Sequence, residues 1–289
     1  MINPTMEGLG KKRSVIREIF EYAKKRSAEI GAENVFDFSL GNPSIPAPPS
    51  VEKTLKELVE GTDPVLLHGY TSAQGDASVR RAIADSICRR FGAHTNADLI
   101  YMTCGAAASL RISFGALACE GDEILTFAPC FPEYKVFAES AGAKFVLIPS
   151  ASDLQIDFDA LEGAITPQTK AVLINSPNNP SGVIYGDEAL RRLASVLRKK
   201  EAQYGHSVYL IADEPYRELT YGKAVPYPMA YYDDTLVCYS WSKSLSLPGE
   251  RIGYIAVCER AADAGDLYAA ICGAGRALGY VCAPALFQR

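Results

Sequence analysis

The chain has 289 residues, 48% of them hydrophobic and 22% charged, with a formal net charge of −5, which fits one large α/β domain or two smaller ones. An acidic balance without a basic stripe argues against nucleic acid and anionic membranes as partners, and no apolar run approaches a membrane span. Eight cysteines without a C-x-x-C pair and three isolated histidines argue against a disulfide framework and against a bound metal. With no signal-peptide core in "MINPTMEGLGKKRS", the expected location is the cytoplasm.

In chain order, the first residues are polar and expected to be loose. Val15 to Ile30 has apolar positions at helical spacing (Ile16, Ile19, Phe20, Ala23). "FDFSLGNPSIPAPPS" predicts a short strand entering a proline-rich loop, with Ser50 capping a helix that runs to about Glu60. The middle of the chain alternates. "LIYMTC", "EILTF", "AKFVLIP", "KAVLINS" and "VYLIAD" read as strands, with helical patterns such as "AAASLRISFGALAC" and "DEALRRLASVLRKKEAQYG" between them. "TLVCYS" and "YIAVC" add two strands, and from about Glu259 the pattern is helical again. Continuous apolar strands separated by helices predict a mostly parallel sheet covered on both faces, a three-layer α/β/α domain. The last residues, "ALGYVCAPALFQR", carry neither a C-cap glycine nor a polar tail, so a C-terminal region is expected beyond them.

Parallel sheets bind ligands beyond the carboxyl ends of their strands, so the residues after each strand matter most. There stand Gly105-Ala106-Ala107, "SPNNPSG" with Asn179, "DEPY" with Asp213 and Tyr216, and "SWSKSLSLPGER" with Ser240, Ser242, Lys243 and Arg251. Each has a bland reading. Gly105 serves equally as a strand-to-helix turn, "SPNNPSG" is turn chemistry, an aspartate at a strand end often caps a helix, and most lysines are surface residues. Their convergence on one sheet edge is what suggests a site. A lysine amine attacks an aldehyde once neutral, and an apolar setting near another cation lowers its pKa. Arg251 offers a fork for phosphate. Ser240 and Ser242 add hydroxyls, and the helix opened by Gly105 offers amide donors, Ala106 and Ala107 contributing backbone alone. Asp213 suits a protonated ring nitrogen, and Asn179 and Tyr216 suit a phenolic oxygen. An aldehyde, a pyridine and a phosphate together describe pyridoxal 5'-phosphate.

"SWSKSLSLPGERIGY" resembles the cofactor-attachment motif of the class I/II pyridoxal-phosphate-dependent aminotransferases, of fold type I, the aspartate aminotransferase superfamily. "NSPNNPSG" and "DEPYREL" resemble two further signatures of that family, "LGNPSIPAPPSV" its N-terminal substrate loop, "HGYTSAQGDASVRRAIA" its Tyr-and-Gly segment, and "APCFPEY" its ring-stacking loop. The resemblance runs from about residue 35 to the end. It implies that Lys243 is the Schiff-base lysine and proton shuttle, and that Asp213 pairs with the ring nitrogen. Asn179 and Tyr216 would bind the phenolic oxygen, with Asn179 also meeting substrate. Ser240, Ser242, Arg251 and the Gly105-Ala106-Ala107 turn would hold the phosphate. Phe131 takes the ring-stacking position, a face without a hydroxyl. Tyr70 would reach the phosphate of a neighbouring subunit, which implies a homodimer with shared active sites, and Gly41 would leave room for the substrate carboxylate. The implied partners are an amino acid and a 2-oxo acid.

The expected domains are residues 1–50, an N-terminal segment belonging to a small domain, and residues 51–289, the cofactor-binding large domain. Family members continue for about a hundred residues, the scale of a domain, into a C-terminal part of the small domain with the arginine that grips the substrate's α-carboxylate. No residue here takes that role. Transamination is the implied reaction. A C–S β-lyase that uses the same cofactor and a non-catalytic cofactor-binding effector domain are the alternatives. "GAGRALG" at 273–279 has no strand before it and reads as helix packing rather than a dinucleotide fingerprint. "GLGKKRS" lacks the spacing of a phosphate loop, and Trp241 reads as wall packing.

Overall fold

The computed structural model describes residues 2–11 and 15–289. Its backbone groups into two units, Met1–Pro46 and Ala47–Arg289. In the first, the expected loose start is instead a helix, α1 (Pro4–Lys11). Asn3 explains it, because its side-chain oxygen accepts the N–H groups of Thr5 and Met6 at 3.0 and 3.3 Å and so caps the first turn. Helix α2 (Val15–Ile30) has the bounds its periodicity predicts. The short strand expected at Phe36–Phe38 is absent. Asp37 takes the Ser39 N–H at 2.8 Å and its hydroxyl at 2.6 Å, a local turn that competes with strand pairing.

The second unit begins with α3 (Pro49–Gly61). Pro48 occupies its N-cap and Ser50 lies inside the first turn, so Ser50 is not the cap the sequence suggests; a proline at the first helical position loses no hydrogen bond. Short α4 (Pro64–His68) and α5 (Ala77–Phe91) follow, each capped by the preceding aspartate, Asp63 and Asp76. The seven strands expected in this unit all form: β1 (Ile100–Thr103), β2 (Glu123–Phe127), β3 (Lys144–Ile148), β4 (Thr169–Asn175), β5 (Tyr209–Asp213), β6 (Thr235–Ser240) and β7 (Gly253–Val257). Between and after them run α6 (Ala106–Leu117), α7 (Glu133–Ser140), α8 (Phe158–Ala164), α9 (Asp187–Tyr204), α10 (Trp241–Ser244), α11 (Ala264–Leu278) and α12 (Ala285–Gln288).

The strands form one sheet in the order β1-β7-β6-β5-β4-β2-β3. Strands β6, β5, β4, β2 and β3 pair in parallel, and β7 is antiparallel to both its neighbours. Strand side chains alternate between two cores. On one side Val172, Leu210 and Val237 pack with Ile83 and Ile87 of α5 and Leu190 and Leu193 of α9. On the other, Leu173, Ile211 and Cys238 pack with Leu110 and Phe114 of α6, Tyr134 and Ala138 of α7, and Leu267 and Ile271 of α11. This is the expected three-layer α/β/α arrangement with a mostly parallel sheet. Among the eight cysteines only Cys238 and Cys258 are buried, and most of the others are half-buried.

Helix α11 contains the first two glycines of "GAGRALG", and the third, Gly279, is its C-cap. A Cβ at Gly275 would overlap the Tyr101 hydroxyl, which donates to the Tyr280 carbonyl at 2.9 Å, whereas a Cβ at Gly273 meets nothing within 4 Å. We therefore expect Gly275→Val to destabilise the fold by about 1–3 kcal/mol through overpacking, and Gly273→Ala to stabilise it by about 0.5–1 kcal/mol through helix propensity. Urea unfolding of both variants checks the pair.

Candidate active site

Sheet register fixes where the polar strand ends fall. Asn175 pairs with Asp213, Asp213 with Cys238, Ser240 with Gly253 and Gly253 with Thr103. The ends of β4, β5, β6 and β1 and the start of β7 therefore lie along one edge. Alternation adds a second restriction. Residues 173, 211 and 238 face the α6/α7 side, so Asn175, Asp213 and Ser240, each two further along its strand, have that same facing.

Asp213 is 5% exposed. The buried hydroxyl of Tyr134 donates to its Oδ2 at 2.6 Å, and its Oδ1, equally buried, has no partner. Burial pushes the carboxyl up to about 7; donation from Tyr134 opposes the rise and the neighbouring Glu214 adds to it. Such an orphaned buried oxygen costs free energy unless a ligand supplies a donor. Asn175 ties the edge together: its side-chain amide donates to the Asp213 carbonyl at 2.7 Å, and its oxygen accepts the Asn179 N–H at 2.6 Å. The Asn179 side chain in turn hydrogen-bonds Tyr216, whose phenol is pushed up by burial and by the nearby Asp213.

Lys243 lies in α10, the single turn after β6, behind Ser240 at its N-cap. Partial burial lowers the pKa of its amine, and Arg251 lowers it further. Ser240 and Ser242 are 2% and 8% exposed. Trp241 packs against Tyr239 and Tyr254, with ring centroids 5.6 and 5.5 Å apart, a wall residue as its sequence setting suggests.

Arg251 closes the second half of the site. Its φ of +54 is left-handed, unusual for a side chain of this size, and one guanidinium nitrogen, Nη1, donates to the Pro248 carbonyl at 2.9 Å. The other, Nη2, lies 2.8 Å from where a Cβ on Gly105 would stand. Gly105 has φ +94 and opens α6 without a side-chain cap, leaving the first-turn amides around Ala106 and Ala107 to whatever anion arrives. Gly253 completes the crowding: a Cβ there would approach the Gly105 Cα at 3.0 Å and overlap the Tyr239 carbonyl.

Two linked groups thus emerge among the residues the sequence singles out: Gly105, Arg251 and Lys243, and Asn179, Tyr216 and Asp213. Phe131 is half-buried and meets Tyr134 edge-on, its ring centroid 5.5 Å away. Tyr70, on the loop after α4, is 98% exposed. Gly41 lies in the first unit. Sequence reasoning missed Tyr134, Asn175 and the buried Glu214–Arg217 pair, in which Arg217 Nε donates to Glu214 Oε2 at 2.6 Å and Nη2 to Oε1. One signal for Tyr134 was present. It follows Phe131 by three residues in "FPEY", the spacing that puts two side chains on one face of a helical turn. No group of three or more His, Cys, Asp or Glu among the described residues is arranged to hold a metal.

A doubly covered α/β sheet here brings an uncapped helix start, a cationic fork, an amine of lowered pKa and a half-satisfied acid to one edge, a donor set suited to a phosphorylated cofactor. The family model for aminotransferase class I and II matches residues 33–272, and the chain belongs to that family. It is 29% identical over 249 residues to a probable aspartate aminotransferase of Methanocaldococcus jannaschii, covering 85% of this chain and 61% of that protein. It is 32% identical over 248 residues to the aspartate aminotransferase of Thermotoga maritima, covering 84% of this chain and 63% of that one. A solved amino transferase from Eubacterium rectale superimposes with a TM-score of 0.96 at 59% identity, covering all of this chain and 73% of that one. The chain thus spans about three-fifths of the length of the curated relatives it matches. Members of the family depend on pyridoxal 5'-phosphate. The donors fit that group: an acid with one free buried oxygen, an amine of lowered pKa, and a cradle that only a glycine at 105 leaves open.

The burial of Asp213 has a measurable cost. Its folded pKa, about 7, lies above the ordinary aspartate value of 3.8, so the folded state binds the extra proton between those values and loses stability as pH rises through them. Without added cofactor, Asp213→Asn should therefore be more stable than the parent at about pH 8, by about 2–4 kcal/mol. The gain should vanish below about pH 4, where both states of the aspartate are protonated. Urea unfolding at the two pH values measures it.

Proposed function

We propose that this protein is a transaminase that moves an amino group from an L-amino acid to a 2-oxo acid, with pyridoxal 5'-phosphate held along the strand-end edge. The observation that carries the reading is the partnerless, buried Oδ1 of Asp213, on the same sheet edge as an amine whose pKa burial and Arg251 have lowered. Bound there, the cofactor supplies an aldehyde carbon and an electron-withdrawing ring that stabilises negative charge on the substrate's Cα. Every other task falls to the chain.

Asp213 accepts a hydrogen bond from the ring nitrogen and, being ionised, keeps a proton there. Asn179 and Tyr216, already hydrogen-bonded to each other, donate to the phenolic oxygen. Arg251, Ser240, Ser242 and the first-turn amides at Ala106 and Ala107 hold the phosphate, where charge-assisted bonds are strongest. Phe131 provides a flat apolar face. Lys243 would hold the aldehyde until the substrate's amine displaces it, and the Nζ so released, neutral at working pH, would take the proton from the substrate's Cα as general base. Residues 1–50 are read as part of a smaller domain and residues 51–289 as the cofactor-binding domain.

Two finer readings go with this one. The cytoplasm is the proposed location, since all eight cysteines are free thiols, as reducing compartments favour; no helix of the described residues is long and apolar enough to cross a membrane. The working unit is proposed as a homodimer in which Tyr70 completes the partner's phosphate site. In support, Tyr70 is 98% exposed and lies just after Val65 and Leu66, exposed at 79% and 66%, an apolar patch of the kind that interfaces cover.

Incubation with pyridoxal 5'-phosphate should give visible absorbance and, after borohydride, a mass label on Lys243. Lys243→Ala should lose both, together with at least about 10²–10⁴-fold of transamination rate. An unchanged spectrum in that variant would count against the assignment. For the assembly, sedimentation of the parent should give a dimer, and Leu66→Asp should shift it to monomer because an interface excludes an unpaired charge.

A further inference from the structure

The two oxygens of Asp213 are treated differently. Oδ2 accepts the Tyr134 hydroxyl at 2.6 Å across 79 residues of sequence, and Oδ1 has no partner. Both side chains are sealed, at 1% and 5% exposure. The Tyr134 ring is itself held, edge-on to Phe131 with an interplanar angle of 82°, and sits in the core beneath α7. A short bond between two buried, immobilised groups is not an incidental surface contact.

We propose that Tyr134 is a positioning residue that acts through Asp213: its hydroxyl holds the carboxylate ionised and decides which oxygen remains for the cofactor's ring nitrogen. This rests on the cofactor reading above. The phenol can play no other part. Burial, with Asp213 beside it, keeps it protonated well above the ordinary tyrosine range, so toward an ionised carboxylate it only donates. The other titratable groups facing Asp213 do not substitute for it. Glu214 raises its pKa and is occupied by Arg217. Tyr216 is engaged by Asn179. Cys238, from β6, is an inert thiol pushed up by burial and paired with Ser113 at 3.5 Å.

Donation to the charged form favours ionisation, so losing it raises the pH below which Asp213 is neutral and no longer attracts a protonated ring nitrogen. The experiment measures binding of pyridoxal 5'-phosphate by equilibrium dialysis from about pH 6 to about pH 9, for the parent, for Tyr134→Phe and for both in an Asp213→Asn background. The expected ratio of Kd, variant to parent, is near one at the alkaline end and rises to about tenfold at about pH 6, as a shift of about one pK unit requires. In the Asp213→Asn background the curves coincide. Placing 3-fluorotyrosine at 134 makes a stronger donor of nearly the same shape and moves the acid limb the opposite way.

A ratio that is flat with pH, or a difference that survives in Asp213→Asn, means a packing role and overturns the proposal. So does a fluorinated chain whose acid limb does not move down, which decides the matter alone if Tyr134→Phe fails to fold. Failure of the parent to bind the cofactor at any pH overturns the cofactor reading and this inference together, whereas binding by the parent with superimposed variant curves overturns this inference alone.

Discussion

A carboxyl group nearly sealed from water at the end of the central strand sets terms for everything near it. Taking an ionised carboxylate out of water costs several kcal/mol even after relaxation, and Asp213 recovers that only in part, through one short bond from Tyr134. The shortfall is visible as an unpartnered oxygen and as a carboxyl pushed up to about 7 by burial. Structural proteins rarely keep such a debt in the core, because buried polar groups are almost always satisfied. The cofactor site proposed above gives it a reason, since a protonated ring nitrogen would supply the missing donor.

The neighbouring acid makes the contrast. Glu214 is even less exposed, at 2%, and burial pushes its carboxyl up too, yet it is fully engaged. Arg217 meets both its oxygens, and donates also to the Val225 and Pro226 carbonyls at 2.8 and 2.9 Å. Phe91 and Tyr227, stacked at 4.4 Å, lie against the guanidinium. Strand alternation separates the two fates. Asp213 continues the α6/α7 side of β5 and Glu214 the side of Phe91 and Tyr227. Two consecutive acids thus divide the work: one is locked into an ion pair that fixes the turn carrying Tyr216, and the other is left half-open on the ligand side.

Much of this was legible in the residues. Continuous apolar runs gave all seven strands, because a strand buried on both faces has no polar alternation to confuse it; only the edge strand β3, partly exposed, was read from its apolar run without that burial. The polar strand ends were legible for a related reason, since a parallel sheet leaves that edge as the place for chemistry. Failures came where a local contact decides the backbone. Asn3 capping α1, Asp37 bending the chain before a strand could form, and Pro48 displacing Ser50 as a cap are side-chain to backbone choices that periodicity does not register. Tyr134 and Asn175 were missed for another reason. Each acts on the site through a partner distant in sequence, and nothing in "FPEY" or "LINS" says which strand end lies opposite.

The phosphate side of the site shows how little freedom such an edge has. Arg251 sits at φ +54 and Ser246, at the other end of the same turn, at φ +55; non-glycine residues in that region store strain, of order 1–3 kcal/mol each. The turn is held in that shape because its far end must pass Gly105, where no Cβ obstructs the guanidinium, while Gly253 lets β7 begin against the Gly105 backbone. Removing the side chains at 105 and 253 is therefore one device with Arg251: two glycines make the room, and a strained arginine fills it with charge beside an uncapped helix. Placed behind Lys243, that charge also lowers the amine's affinity for a proton. In the site proposed above, the cation that would attract the phosphate thus also helps keep the Lys243 amine neutral.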